Sequence, residues 1–266
     1  MPEQKEAQRL ACLEIKGGNE NARYVIDLPG LSAWVWCRPI TGAAGGGDLH
    51  YLSVCSQGSI SRIALADVAG HGEIVSATAV RLRHVLREHS DAWDQTDVVR
   101  ELNDSFLAGA GVLQYATAFV LGHYSQTGEL LFTNAGHVPP LWYHALEKEW
   151  SFMLESTPYS KTIADLPIGL IPGTDYSQTA VQLAPDDLVI LYTDGISEST
   201  NTAGEELNRD GLLDLARSVP VSSPLEAGEA LLARVEAFRG PGAASDDETL
   251  IVLQRTHDAI EEAWPR

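Results

Sequence analysis

The stretch LHYLSVCSQGSISRIALADVAGHG, residues 49–72, sets the frame for the whole chain. Two apolar runs, Leu49 to Ser56 and Arg62 to Val68, flank Ser56-Gln57-Gly58-Ser59, a composition that predicts a hairpin turn. The second run ends in Asp67, and Gly70 and Gly72 follow closely. Helical spacing then begins at once, with Val75, Thr78, Leu82, Val85 and Leu86 along 73–89. A second helix is expected over 97–107 from Val98, Val99, Leu102 and Phe106, with Thr96 as its N-cap and Gly109 as its stop.

Working outward, one more strand, Ala33 to Pro39, precedes this unit. After the helix pair the chain returns to strands. Tyr115 to Tyr124 and Glu129 to Thr133 flank Thr127-Gly128, and Leu141 to His144 and Trp150 to Leu154 flank a charged turn. Tyr176 to Leu183 and Leu188 to Thr193 flank Pro185-Asp186-Asp187. Two late helices follow, Gly211 to Arg217 and Leu225 to Phe238. The latter opens on Ser223, Pro224 and Glu226, a capping box with proline at the first helical position. A last strand, Thr249 to Arg255, closes the pattern. A parallel doubly wound sheet needs a helix between nearly every pair of strands, and these hairpins leave no room for one. The expected fold is therefore α+β: a four-layer α-β-β-α sandwich of two antiparallel sheets flanked by helices. Residues 1–22 are expected to be a loosely ordered leader, 23–256 one domain, and 257–266 a C-terminal tail.

Composition narrows the partners. The chain has 266 residues, 37 acidic against 18 basic, and a net charge of −19. Nucleic-acid affinity rests on neutralising phosphates with Lys and Arg, so a polyanion is a poor partner for this chain. Hydrophobic residues make up 44% of the chain, enough for a sizeable core. Cys12, Cys37 and Cys55 form no CxxC pair and no even framework, which reads as reduced thiols of the cytoplasm. The polar start MPEQKEAQRLACLEIKGG lacks the apolar core of a secretory signal, and no apolar run approaches ~18 residues, so no membrane span is expected.

Four segments place acids and glycines at the ends of apolar strands: Gly46-Gly47-Asp48, Asp67 to Gly72, Tyr192-Thr193-Asp194-Gly195, and Ser245-Asp246-Asp247-Glu248-Thr249. A carboxylate at a strand end can project into a site while glycines admit the backbone. Hard divalent cations take carboxylate and carbonyl oxygens, so Asp67 and the Val68 carbonyl make a suitable pair. Asp194 repeats the arrangement after Leu188-Val189-Ile190-Leu191-Tyr192, and Asp246 and Asp247 stand before Leu250-Ile251-Val252-Leu253. Taken singly, each Asp-Gly is as well explained as a turn. Three such acids converging on one sheet edge would require a cation to offset their repulsion. Gly45-Gly46-Gly47 is not a P-loop, because no Gly-Lys-Ser/Thr follows. His71 has two readings, a proton donor or a loop imidazole. Asn134-Ala135-Gly136-His137 with Pro139-Pro140 reads as a stiff structural turn.

In order, Gly-Gly-Asp (46–48), Asp-Val-Ala-Gly-His-Gly (67–72), Ala-Thr-Ala-Phe (116–119), Asn-Ala-Gly-His-Val-Pro-Pro (134–140), Pro-Ile-Gly-Leu (167–170), Tyr-Thr-Asp-Gly-Ile-Ser-Glu (192–198) and Asp-Asp-Glu-Thr (246–249) resemble the bacterial PPM-type, type 2C-like phosphatases, in the branch of the sporulation stage II E and sigma-B-regulating enzymes. The resemblance spans about residues 30–255. It implies the α-β-β-α sandwich, two Mn²⁺ or Mg²⁺ ions, and phosphoserine or phosphothreonine on a protein as substrate. It further implies that Asp67 bridges both metals, that the Val68 carbonyl binds one, that Asp194 and Asp246 complete the other, and that Asp48 holds metal-bound waters. Hydrolysis would then proceed by direct attack of a metal-activated hydroxide, with no covalent phosphoenzyme. Two departures stand out. Leu49-His50-Tyr51 follows Gly-Gly-Asp where an aromatic and then an acid are usual. His71 lies four residues after Asp67, where eukaryotic relatives place a histidine two residues after the bridging acid. Arg38, in Cys-Arg-Pro-Ile, is the candidate phosphate-binding arginine.

Three functions stay open at this level. The chain is an active phosphatase on a phosphorylated regulator such as an anti-sigma-factor antagonist, a phosphatase-like module that regulates by docking, or a metal hydrolase for small phosphoesters. The presence of Asp48, Asp67, Asp194 and Asp246 together favours the first. No nucleic acid and no membrane are expected as partners, and homodimerisation is left open.

Overall fold

In the computed structural model, which describes residues 8–40, 43–55, 58–70, 73–89, 91–92, 94–109, 115–153, 165–242 and 244–257, the strand that carries Asp67 sits at the centre of one of two sheets. The strands are β1 (Gln8–Arg9), β2 (Ile15–Gly18), β3 (Ala22–Leu28), β4 (Leu31–Arg38), β5 (Asp48–Val54), β6 (Ile60–Val68), β7 (Ala116–Tyr124), β8 (Glu129–Ala135), β9 (Leu141–His144), β10 (Glu149–Phe152), β11 (Thr179–Gln182), β12 (Leu188–Tyr192) and β13 (Glu248–Arg255). The helices are α1 (Glu73–Glu88), α2 (Gln95–Gly109), α3 (Asp194–Ser197), α4 (Asn208–Ala216) and α5 (Pro224–Arg239). One sheet runs β1-β3-β4-β13-β12-β9-β10 and the other β11-β8-β7-β6-β5-β2. Pairing is antiparallel throughout except that β1 lies parallel to β3.

Three apolar layers explain why the central strands are buried on both faces. Ile63 and Leu65 of β6 meet Val35, Val189 and Ile251 between the sheets. Ala64, Ala66 and Val68, on the other face, pack under Ala79, Leu82, Leu86 and Val98 of α1 and α2. Trp34, Ile190, Leu250 and Val252 pack under Leu212, Leu231 and Val235 of α4 and α5. Successive strand residues face opposite ways, so one sequence serves two layers at once. This is the expected α-β-β-α sandwich.

Several local expectations are corrected. Residues 8–18, expected within a loosely ordered leader, supply β1 and β2, which extend both sheets, because Ile15 to Gly18 pairs with His50 to Ser53. The β3–β4 hairpin went unread, although Pro29-Gly30 follows the apolar run Tyr24-Val25-Ile26; Gly30 adopts φ 73° in its turn. The turn at 185–187 does not join neighbouring strands. It carries the chain from β11 in one sheet to β12 in the other, and the Asp187 carboxylate accepts from the Ala184 and Ala145 amides and from Trp142 Nε1. Asp94, not Thr96, caps α2, its carboxylate accepting from the Thr96 amide at 2.8 Å. Half of the expected capping box of α5 is seen: the Ser223 hydroxyl accepts from the Glu226 amide at 3.2 Å, while the Glu226 carboxylate accepts from the Ser222 hydroxyl. Among the described residues no helix is long and apolar enough to cross a membrane.

Candidate metal centre

At one end of the sandwich the apolar filling between the sheets gives way to polar side chains. Asp67 lies two residues beyond Leu65 on the same strand and therefore shares its inward face. Its cross-strand neighbours are Asp48 on β5 and Thr117 on β7. From the facing sheet come Thr193 at the end of β12, Asp194 opening α3, and Asp246 and Asp247 before β13. The acids predicted from separate strand ends thus meet at one edge.

Their electrostatics record the proximity. Burial, then the charges of Asp194, Asp246 and Asp247, push the Asp67 carboxyl up to about 8. Asp48, 1% exposed, is held well above the usual carboxylate range by burial and by Asp67, although the Thr193 hydroxyl donates to its Oδ2 at 2.7 Å. Asp194 is raised by burial and then by Asp246. Like charges brought together in a low-dielectric pocket raise one another's pKa, and a bound cation removes the penalty. Among the described residues no three acidic, histidine or cysteine side chains close on a single point as a finished cage. The donor set nonetheless fits a hard divalent cation, being carboxylate and carbonyl oxygen throughout. Backbone approach fits as well. A Cβ on Gly47 would stand 2.7 Å from the Val68 carbonyl oxygen, so only glycine lets the segment before Asp48 lie against that carbonyl.

Adjacent Asp246 and Asp247 differ sharply. Asp247 is 4% exposed, and its carboxylate accepts from the Ile40 amide at 2.7 Å and the Gly47 amide at 2.6 Å, joining β13 to the segment before β5. Asp246 is exposed, and its Oδ1 accepts from the Asp247 amide at 2.8 Å. Asp247 is a tether, whereas the exposed Asp246 carboxylate stands near enough to Asp67 and Asp194 to raise both.

Sequence reasoning assigned no site role to His137, which lies buried between the sheets. Its Nε2 stands 3.1 Å from the Tyr192 carbonyl and its Nδ1 2.7 Å from Thr117 Oγ1. A carbonyl only accepts, so Nε2 carries the hydrogen, and burial holds the ring's pKa down at about 4. A neutral imidazole therefore links the strand beside Asp67 to the strand before Asp194. The Asn134 side chain fixes the turn by accepting from the His137 amide at 2.7 Å and donating to its carbonyl at 3.0 Å. The stiff-turn reading of 134–137 was right, but the ring's bridge between sheets had no local sequence signal. Asn19 was missed as well: the Gly46 amide donates to its carbonyl, and its side chain donates to the Gly46 carbonyl at 2.9 Å. His71 lies outside the described residues. Arg38 does not stand free; its guanidinium pairs with Glu248 at 2.5 Å and Glu236 at 3.3 Å.

The layered fold and its acid-lined edge define a class, the PP2C-type phosphatase domains. The phosphatase domain of SpoIIE from Bacillus subtilis, solved with a fragment of its regulatory domain, superposes with a TM-score of 0.69 at 19% identity, covering 92% of this chain and 71% of that one. The catalytic domain of the serine/threonine phosphatase PstP, solved with two manganese ions, gives 0.59 at 15% identity over 85% and 98%. Residues 58–256 match the family model of stage II sporulation protein E (SpoIIE), and the chain belongs to that family. Among curated relatives, the phosphoserine phosphatases RsbP and RsbU of Bacillus subtilis (strain 168) are 26% and 25% identical over 197 and 210 residues. Those matches cover 72% and 77% of this chain but 45% and 58% of the relatives, so the chain spans about half their length.

Proposed function

We propose that the chain is a metal-dependent protein phosphatase that hydrolyses phosphoserine or phosphothreonine on a regulatory protein. The observation that carries this reading is the convergence of Asp48 and Asp67, cross-strand neighbours on one sheet, with Asp194 and Asp246 from the facing sheet, where burial and like charge raise the Asp67 carboxyl. Family membership and the relatives named as phosphoserine phosphatases support it. Asp67, the Val68 carbonyl, Asp194 and Asp246 would hold two divalent ions, Mn²⁺ or Mg²⁺, and Asp48 would orient water beneath them. Bound there, the cations would lower the pKa of water and offset charge on the phosphoryl oxygens. The chain's own residues then have defined tasks. Asp67 and Asp194 set the spacing of the centre, Thr193 fixes Asp48 by its hydroxyl, and His137 keeps the sheets in register from below. A buried His137 is not an imidazolium at neutral pH, and its one N–H is held by the Tyr192 carbonyl, so it is a poor general acid and His71 remains the candidate donor. Arg38 would meet phosphate only by exchanging its exposed pairing with Glu236, since Glu248 occupies the rest of its guanidinium. The substrate we favour is a phosphorylated single-domain regulator such as an anti-sigma-factor antagonist, and the setting we favour is the cytoplasm.

Hydrolysis of p-nitrophenyl phosphate and of a phosphoserine protein, measured side by side, tests the reading. Both activities should vanish in EDTA and return with Mn²⁺ or Mg²⁺. Full turnover after exhaustive metal removal would overturn it, and metal binding without turnover of either substrate would leave a docking module.

A further inference from the structure

Glu248 is a fully buried carboxylate on the helix-facing side of β13, the side it shares with Leu250 and Val252. Its cross-strand partner is Arg38, whose Nε and Nη2 donate to Oε2 at 3.0 and 2.5 Å. Its other oxygen accepts from Arg239 Nη2, near the C-terminal end of α5, and Arg239 is itself 5% exposed. The same Nη2 donates to Ser199 Oγ at 2.8 Å, and Ser199 Oγ donates to the Gly195 carbonyl at 3.1 Å. Gly195 in turn lies on the 247 carbonyl so closely that a Cβ there would stand 2.1 Å from it.

These contacts form a closed circuit. It runs from Glu248 through Arg239 and Ser199 to Gly195, the residue after Asp194, and back across the backbone to Asp247. On the opposite face, the Asp247 carboxylate holds the Ile40 and Gly47 amides. The first two residues at the mouth of β13 are thus fixed from both sides, and Asp246 is the first residue beyond that grip. We infer that Glu248, with Arg38 and Arg239, is a positioning residue that sets the separation of Asp194 and Asp246 and couples α5 to the centre's affinity for a divalent cation. Outer groups that orient ligands commonly matter as much as tens-fold in metal affinity. A buried carboxylate between two guanidiniums adds little net stability, so its placement here is better explained by the orientation it imposes.

The inference rests on the metal-centre reading, and the test separates the two. Mn²⁺ binding is measured by paramagnetic resonance of the free ion, with folding followed by circular dichroism and thermal melting. Glu248→Gln should weaken Mn²⁺ binding by about 10-fold or more in folded protein. Ser199→Ala, which breaks the circuit without touching the ion pair, should weaken it by a smaller factor, and Arg239→Lys should bind more tightly than Arg239→Gln. Arg23→Ala removes an exposed ion pair with Glu229 on the same face and should change nothing. A melting temperature lowered in Glu248→Gln with Mn²⁺ affinity unchanged would reduce the cluster to fold support and overturn the inference. Should Glu248→Gln fail to fold, wild-type affinity in both Ser199→Ala and Arg239→Gln has the same consequence. Asp67→Asn is the remaining arm: if it too binds Mn²⁺ normally, the metal-centre reading fails, and if it alone loses Mn²⁺, only the role of Glu248 does.

Discussion

Asp67 owes its raised pKa first to burial and then to the charges of Asp194, Asp246 and Asp247, and that sets what a single substitution should do. Asp67→Asn removes the charge while keeping the shape, so kcat should fall by about 10²-fold or more, the scale of one electrostatic catalytic element, with the fold retained. Steady-state turnover alongside a melting curve checks this, and near-normal turnover would make Asp67 a turn residue. Asp246 and Asp247 should part company in a different way. Asp247→Ala strands two backbone amides, those of Ile40 and Gly47, at roughly 1–3 kcal/mol for each buried group left unpaired. It should therefore lower the melting temperature more than Asp246→Ala does. Asp246→Ala should instead raise the Mn²⁺ concentration needed for activity. The reverse ordering in a metal titration would make Asp247 the ligand. The acids were legible in the sequence because each ends or begins an apolar strand, a pattern written within about six residues. Glu248, Arg239, Asn19 and His137 were not, because each acts on a residue at least nine positions away, and nothing local marks a side chain for such a partner.

Elements were legible in proportion to how strongly one periodicity ruled them. The hairpin of β5 and β6, the pair α1 and α2, and the capped α5 all carry clean patterns and were found within a few residues. The edge strands β1 and β2 were not. Their four-residue or shorter runs are exposed in β1 and half-buried in β2, with Gly17 and Gly18 lowering any strand propensity, and only pairing with β3 and β5 makes them strands. The passage from β11 to β12 was misread because a turn composition reports a reversal and not which sheet receives the chain. The stripe along α1 was read correctly: Leu82 is 2% exposed and packs with Ala64 and Ala66 of β6 and with α2. Leu82→Ala should destabilise the fold by roughly 2–5 kcal/mol, measured by denaturant unfolding. α1 begins six residues after Asp67, so the same variant also tests whether that helix sets the centre. A shifted Mn²⁺ titration in still-folded protein would show coupling, and an unchanged one would leave α1 a cover for the sheet.

At the scale of the whole molecule, two sets of buried groups pull stability in opposite directions with pH. His50, His123 and His137 are each held neutral, with pKa lowered to about 4, burial being the first cause in all three. Arg83 and Lys16 lower His50 further, and Arg255 lowers His123. The unfolded chain takes up these protons near pH 6.5. Stability is therefore complete above about 6.5 and falls as pH drops towards 4, with each histidine contributing about 3 kcal/mol at ~1.4 kcal/mol per pKa unit. Three such groups approach the whole stability of an ordinary domain, so unfolding should set in above pH 4. Asp67 acts with the opposite sign. Its folded pKa of about 8 lies above the unfolded value near 4, so it favours the fold when protonated, and the metal-free protein should lose stability as pH rises towards 8. Cations that occupy the centre replace that proton and also stabilise by mass action. Melting temperatures of metal-free protein should therefore peak near pH 6–7 and fall on both sides. Saturating Mn²⁺ should lift the alkaline limb most and leave the acid limb, set by the histidines, nearly where it was. A uniform rise at every pH would mean that Mn²⁺ binds away from Asp67, and a metal-free curve flat from pH 6 to 8.5 would mean that burial and the neighbouring acids do not raise Asp67 in solution.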